Sequence, residues 1–176
     1  MTGALPLGSP ISERSVDARE DPEIRVATVD EILDLRYRVL IVGTKRASAE
    51  VPGDREEKTL HVGAFLNGRA IGCASLLPAE WEGTHAWQLR CMAIEPSFQG
   101  KGLGSSVLAY LEDLALKQSP ARIFWCNARI EAVGFYEKQG WRAVSEEYVI
   151  DDVGPHRRML RRLGPACTEL EEERHG

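Results

Sequence analysis

The sequence has little of what membrane, metal and nucleic-acid proteins need. No apolar run approaches the roughly 20 residues of a spanning helix, so no membrane association is expected. No C-x-x-C pair occurs among the four cysteines, Cys73, Cys91, Cys126 and Cys167. That spacing argues against a zinc site or a dithiol redox centre, and no metal is expected. Positive charge is short as well: 22 Lys and Arg against 27 Asp and Glu give a formal net charge of -5, without the basic surface that nucleic-acid binding requires. The opening residues, MTGALPLGSPISERSVDARED, have neither a basic start nor a sustained apolar stretch and do not read as a secretory signal. The expectation is a cytoplasmic protein whose cysteines stay reduced as small buried hydrophobes.

What remains is an ordinary globular composition, 43% hydrophobic and 28% charged, in 176 residues, enough for one domain with a core of its own. Residues 1–22, rich in Gly, Pro, Ser and charge, read as a flexible leader. Residues 23–163 read as the domain, and 164–176, with the run Glu171-Glu172-Glu173, as an acidic tail. Within the domain, Ile24 to Thr28 reads as a strand. A helix entered at Val29-Asp30 follows, carrying Ile32, Leu33, Leu35, Val39 and Leu40 at helical spacing. A polar stretch, Thr44 to Lys58, interrupts the pattern. Strands Leu60 to Leu66 and Ala70 to Leu77 are joined at Asn67-Gly68, a strong hairpin signal, and Trp87 to Ile94 is a fourth strand.

A second helix starts at the glycines near residue 102, carries Leu103, Val107, Leu108, Leu111, Leu114 and Ala115 on one stripe, and ends near Ser119-Pro120. Arg122 to Cys126 reads as a strand, and Asn127 as the cap of a third helix that runs through Ile130, Val133, Phe135 and Tyr136 and stops at Gly140. Trp141 to Ile150 and Pro155 to Leu163 form a closing hairpin around Asp151-Asp152-Val153-Gly154. The expected class is α/β (α+β), with a mixed central sheet flanked by helices.

Chemistry enters at Gln99-Gly100-Lys101-Gly102-Leu103-Gly104, between a strand and a helix. A helix start leaves several N–H groups without intrahelical partners, and its dipole adds partial positive charge, so an anion is favoured there. The glycines let a ligand approach the backbone closely, and Lys101 and the Gln99 amide add donors. Two phosphate motifs fail on spacing. A Rossmann fingerprint needs glycine where Ser105 stands, and a P-loop needs Ser or Thr where Gly102 stands.

The segment LRCMAIEPSFQGKGLGSSVLAYLEDLA closely resembles the acetyl-CoA signature of the GNAT acetyltransferase superfamily, with Gln99, Gly102 and Gly104 at the motif's Gln/Arg-x-x-Gly-x-Gly/Ala. NARIEAVGFYEKQGWRAVSEEY resembles that superfamily's second region, including the Phe135-Tyr136 helix and the Gly140-Trp141 start of the next strand. The resemblance implies a sheet splayed between its fourth and fifth strands, with acetyl-CoA as co-substrate in the gap. It implies that Met92, Ala93 and Ile94 hold the pantetheine arm by their backbone, and that Gln99, Gly100, Lys101, Gly102, Leu103, Gly104 and Ser105 hold the pyrophosphate. Asn127, Phe135 and Tyr136 complete the implied cofactor set. The implied reaction is attack of a neutral primary amine on the thioester through a tetrahedral oxyanion, with Tyr136 as general acid toward the departing thiolate. A homodimer is an expectation by analogy.

The general base has several candidates: Glu95, His61, His156 or a water chain. The Gly154-Pro155-His156 turn resembles a segment of some small bacterial members of the superfamily. Arg90, His61 and His156 are the candidate acceptor-binding residues, Arg90 as a holder of a carboxylate. The acidic residues of the Thr44 to Lys58 stretch are candidates to attract a cationic amine. Two other classes compete: a non-catalytic acyl-CoA-binding domain, which an intact Tyr136 disfavours, and a nucleotide-phosphate binder, which the failed spacings disfavour.

Overall fold

The computed structural model of the protein describes residues 21–164. The expected leader (1–22) and tail (164–176) lie, apart from residues 21, 22 and 164, outside the described residues, as does Cys167.

Strand β1 (Glu23–Val26) leads into helix α1 (Val29–Arg36), whose start is a capping box. The Thr28 hydroxyl accepts from the Glu31 N–H at 3.4 Å, and the Glu31 carboxylate accepts from the Thr28 N–H at 2.8 Å. The helix loosens into a π-turn over Tyr37–Ile41. The polar stretch that follows forms turns, as its composition implies. Strands β2 (Leu60–Leu66) and β3 (Arg69–Trp81) meet at Asn67-Gly68, both at positive φ (51° and 76°), the signature of a type I′ turn.

Strand β4 (Thr84–Ile94) is longer than the sequence pattern implies. Pro78 interrupts the strand signal after Leu77, because it cannot donate to a ladder. The chain nevertheless continues to Trp81 and returns through a second tight turn at Glu82-Gly83 (φ 49° and 75°). Helix α2 (Leu103–Gln118) buries Val107, Leu108, Leu111 and Ala115, and it stops at Ser119.

Strand β5 (Ile123–Arg129) corrects the expectation for Asn127. Asn127 lies inside the strand and caps nothing. A short turn at Ile130–Ala132 precedes helix α3 (Val133–Lys138), which starts at Ala132 with no side-chain cap. The expected strand Trp141 to Ile150 is broken into β6 (Arg142–Ala143) and β7 (Tyr148–Ile150). At the break, the Val144 N–H and the Ser145 hydroxyl bond to the backbone of Arg158 in β8 (Gly154–Arg162), each at 2.8 Å.

The strands form one sheet in the order β1-β2-β3-β4-β5-β8-β6, with β7 also on β8. Every pairing is antiparallel except β4 with β5. Alternation along the strands divides the core. Val62, Ala64, Leu76, Leu89, Phe124 and Cys126 pack with α2, and Phe65, Ala70, Cys73 and Ala93 pack with Ile32 and Leu35 of α1. The two long helices therefore cover opposite faces. Among the described residues, no helix is long and apolar enough to cross a membrane, and no group of three or more His, Cys, Asp or Glu stands ready for a metal ion.

Candidate active site

The parallel pairing of β4 and β5 is short. Only Trp87 with Phe124 and Gln88 with Trp125 are in register, and past Gln88 the strands part. The gap leaves one edge of β4 without a strand partner, a row of backbone groups suited to an extended ligand. At the gap β4 also carries a bulge. Cys73 stands opposite Ala93 and Ser75 opposite Arg90, so Cys91 and Met92 together face Ala74. Cys91 takes φ +51°, an unusual value for a residue with a side chain. Burial pushes its thiol up, against the charges of Arg36, Arg46 and Arg90.

Below the gap lies the glycine turn. Gly100 and Gly102 are left-handed (φ +72° and +84°), and a Cβ added to either would meet nothing within 4 Å, so open space lies over both. Gly102 is the N-cap of α2, with no side-chain cap and no acid in the first turn. The first bond back into the helix, from the Ser106 N–H to the Gly102 carbonyl (3.1 Å), comes after the N–H groups of Leu103, Gly104 and Ser105. Those donors fit a pyrophosphate. Gly104 is needed for another reason: its Cβ would lie 3.2 Å from the Phe135 ring and 3.5 Å from Met92 Cε. Gln99 and Lys101 are turned back onto the turn, donating to the carbonyls of Ile94 and Ser97, each at 2.9 Å.

Tyr136 stands where the strands part. Its hydroxyl donates to Met92 Sδ of β4 at 3.6 Å, and it also contacts the Cys126 thiol of β5. The ring is held by Phe135 and Trp141, with centroids at 5.2 and 5.5 Å. Burial holds the phenol well above its usual range, so it stays a protonated donor.

Residues 29–141 match the sequence model of the Acetyltransferase (GNAT) family. The chain belongs to the GNAT acetyltransferase family. It is 28% identical over 144 residues to the uncharacterized N-acetyltransferase YitI of Bacillus subtilis, across 80% of this chain and 96% of that one. In fold it resembles Escherichia coli ElaA, with a TM-score of 0.68 at 19% identity over 80% of this chain and 99% of that one. It also resembles an aminoglycoside 6′-N-acetyltransferase solved with coenzyme A, with a TM-score of 0.63 at 16% identity over 81% of this chain and 98% of that one. The protein is an N-acetyltransferase, and acyl transfer from CoA is its general chemistry.

On the other face of this acetyltransferase, the residues named from sequence are scattered. Glu95 follows β4 and is engaged through both oxygens, with Arg38 at 3.2 Å and Arg69 at 3.3 Å. His61 is buried under the polar stretch, and both its ring nitrogens are taken. Its Nε2–H donates to the Asp54 carbonyl (2.8 Å), and Nδ1 accepts from the Ser75 hydroxyl (2.6 Å). Burial holds this ring below the usual imidazole range. His156, on β8, donates from Nδ1 to the Gly154 carbonyl at 2.7 Å, which leaves Nε2 as the basic nitrogen. Asn127 accepts from the Tyr148 hydroxyl at 2.6 Å. Arg90 donates to the Pro52 carbonyl at 3.1 Å, tying β4 to the polar stretch.

Sequence reasoning missed the network that holds this side together. Arg36, fully buried, donates to Asp54 Oδ2 (2.7 Å) and to the Ser75 hydroxyl (2.6 Å), whose own proton goes to His61. The circuit closes through His61 on Asp54. An arginine on the apolar face of α1 is the one signal that could have found it. The network also revises the expected role of the acidic residues. Asp54 is consumed within it, and Glu50 pairs with Arg55 at 2.8 Å.

Proposed function

We propose that the enzyme moves an acetyl group from acetyl-CoA to a primary amine by direct attack on the thioester, through a tetrahedral oxyanion. The observation that carries the reading is the Tyr136 hydroxyl, held between Met92 of β4 and Cys126 of β5 at the opening of the gap. The N–H groups of Leu103, Gly104 and Ser105, with Gln99, Gly100, Lys101 and Gly102, would hold the pyrophosphate. The backbone of Met92, Ala93 and Ile94 would hold the pantetheine amides, with Asn127 and Phe135 along the same path. A backbone N–H of the Cys91–Met92 bulge is suited to the developing oxyanion, because a bulge leaves one residue unpaired.

Two proton movements fall to side chains. Tyr136 donates toward the departing thiolate. His156 is the better base, since Glu95 and His61 are committed to ion pairs and hydrogen bonds while His156 keeps Nε2 free. A cytoplasmic setting fits Cys73, Cys91 and Cys126, which are free thiols.

Calorimetry with acetyl-CoA, CoA and ATP tests the donor half: binding of the first two and not the third is expected, and absence of CoA binding would sink the reading. Tyr136→Phe should lower kcat by about 100-fold, the low end for loss of a general acid. The affinity for acetyl-CoA should change by less than about twofold, since the lost bond is made to the leaving sulfur. Unchanged kcat would remove Tyr136 from this role.

A further inference from the structure

The arginines divide into two groups. Arg25, Arg36, Arg38, Arg55, Arg69, Arg161 and Arg162 each have a carboxylate within 4 Å. Arg46, Arg90, Arg122, Arg129, Arg142, Arg157 and Arg158 have none among the described residues, and three of these, Arg90, Arg129 and Arg158, sit on one face of β4, β5 and β8. Along β4, Trp87 and Leu89 enter the core beneath α2, so Gln88 and Arg90 alternate to the opposite face. Along β5, Phe124, Cys126 and Ala128 enter that core, so Trp125, Asn127 and Arg129 share the face of Arg90. On β8, His156 stands opposite Arg129 and Arg158 opposite Asn127.

Each of these guanidiniums is held in place with most of its donors unused. Arg90 makes one bond, to the Pro52 carbonyl (3.1 Å), and Arg129 one, to the Leu40 carbonyl (2.8 Å). Arg158 lies over the Trp125 ring at 5.5 Å, makes a long contact, 3.5 Å, to Asn127, and touches the Tyr148 hydroxyl. A guanidinium offers five N–H donors in a planar fork that matches a carboxylate. Asp54 is paired with Arg36, Glu50 with Arg55, and Glu95 with Arg38 and Arg69, so none of these three acids forms an ion pair with Arg90, Arg129 or Arg158. Three guanidiniums with no carboxylate within 4 Å thus share one face beside the gap, and a carboxylate would be drawn to them.

We propose that the acceptor is an amine that also carries a carboxylate, an amino acid or a close relative. Its carboxylate is held between Arg90 on the β4 side and Arg129 and Arg158 on the β5–β8 side. The Trp125 ring beside Arg158 gives an apolar floor to the rest of the molecule. This inference rests on the amine-transfer reading above and names the class of its acceptor.

The test uses matched pairs that differ by the carboxylate alone: phenylalanine with phenethylamine, leucine with isoamylamine, lysine with cadaverine. CoA release is followed at saturating acetyl-CoA. In at least one pair the amino acid should have the higher kcat/KM by about 10-fold or more, the scale of one charge-assisted hydrogen bond. Arg90→Ala and Arg158→Ala should collapse that ratio toward one through KM, and Arg90→Lys should restore part of it. Arg158 is exposed, so its variant is little tied to folding. Decarboxylated amines used as well as the amino acids, or a ratio unmoved by both alanine variants, would overturn the proposal while leaving the enzyme an amine acetyltransferase. Acetyl-CoA binding without CoA release in any pair would overturn this inference alone, whereas absent CoA binding would defeat amine transfer and this inference with it.

Discussion

Cys91 holds a backbone conformation that few side chains accept, at the residue where β4 must both pair with β3 and present a free edge to the gap. A left-handed non-glycine residue costs about 1–3 kcal/mol, and a β-branched one is worse placed still. Cys91→Val should therefore flatten the bulge or destabilise the fold by about 1–2 kcal/mol. It should lower kcat more than acetyl-CoA affinity, as measured by denaturant unfolding beside steady-state kinetics. Nothing in the run Leu89 to Ile94 announces this bulge, because a cysteine in an apolar strand looks like any other core residue. Tyr136 was legible as a candidate site residue through the segment it resembles. Its place between the two strands, with its hydroxyl on Met92, depends on how far β4 and β5 diverge, and no local pattern encodes that distance.

Among the elements, α1 and the polar stretch behave as one unit, because Arg36, Asp54, His61 and Ser75 lock them to β2 and β3. Breaking a buried ion pair strands the surviving charge, so Asp54→Ala should lose about 3–5 kcal/mol in chemical unfolding. A loss under about 1 kcal/mol would mean that Arg36 finds water. The His61 ring is held below its usual range by burial, so the folded state keeps it neutral while the unfolded chain takes up a proton. Stability should thus decline as pH falls below about 6.5, and the decline should be shallower in His61→Gln, as melting temperatures across pH 5 to 8 would reveal. Helices α1 and α2 were readable from the period of their apolar residues. The misplaced Asn127 cap and the broken β6–β7 segment were not, because strand ends there are set by pairing with β8, whose register lies far along the chain.

For the molecule as a whole, the sheet is continuous everywhere except past Gln88, where the short parallel pairing of β4 and β5 ends between two helices on opposite faces. Amide exchange in the Leu89 to Ile94 segment should slow by about 10-fold or more when acetyl-CoA is added, because local opening gates exchange and an added strand-like ligand blocks it. An unchanged rate there would argue against β4 as the pantetheine edge. The candidate donor half, Gln99 to Ser105, lies in one stretch of chain, where turn chemistry and the start of a helix follow from neighbouring residues; that is why it was legible in the sequence. The proposed acceptor half joins Arg90, Arg129, His156 and Arg158 from three strands, and no spacing along the chain brings them together. Their common face follows from strand register and from the gap, which arise only when non-local strands pair and the two helices pack on either side.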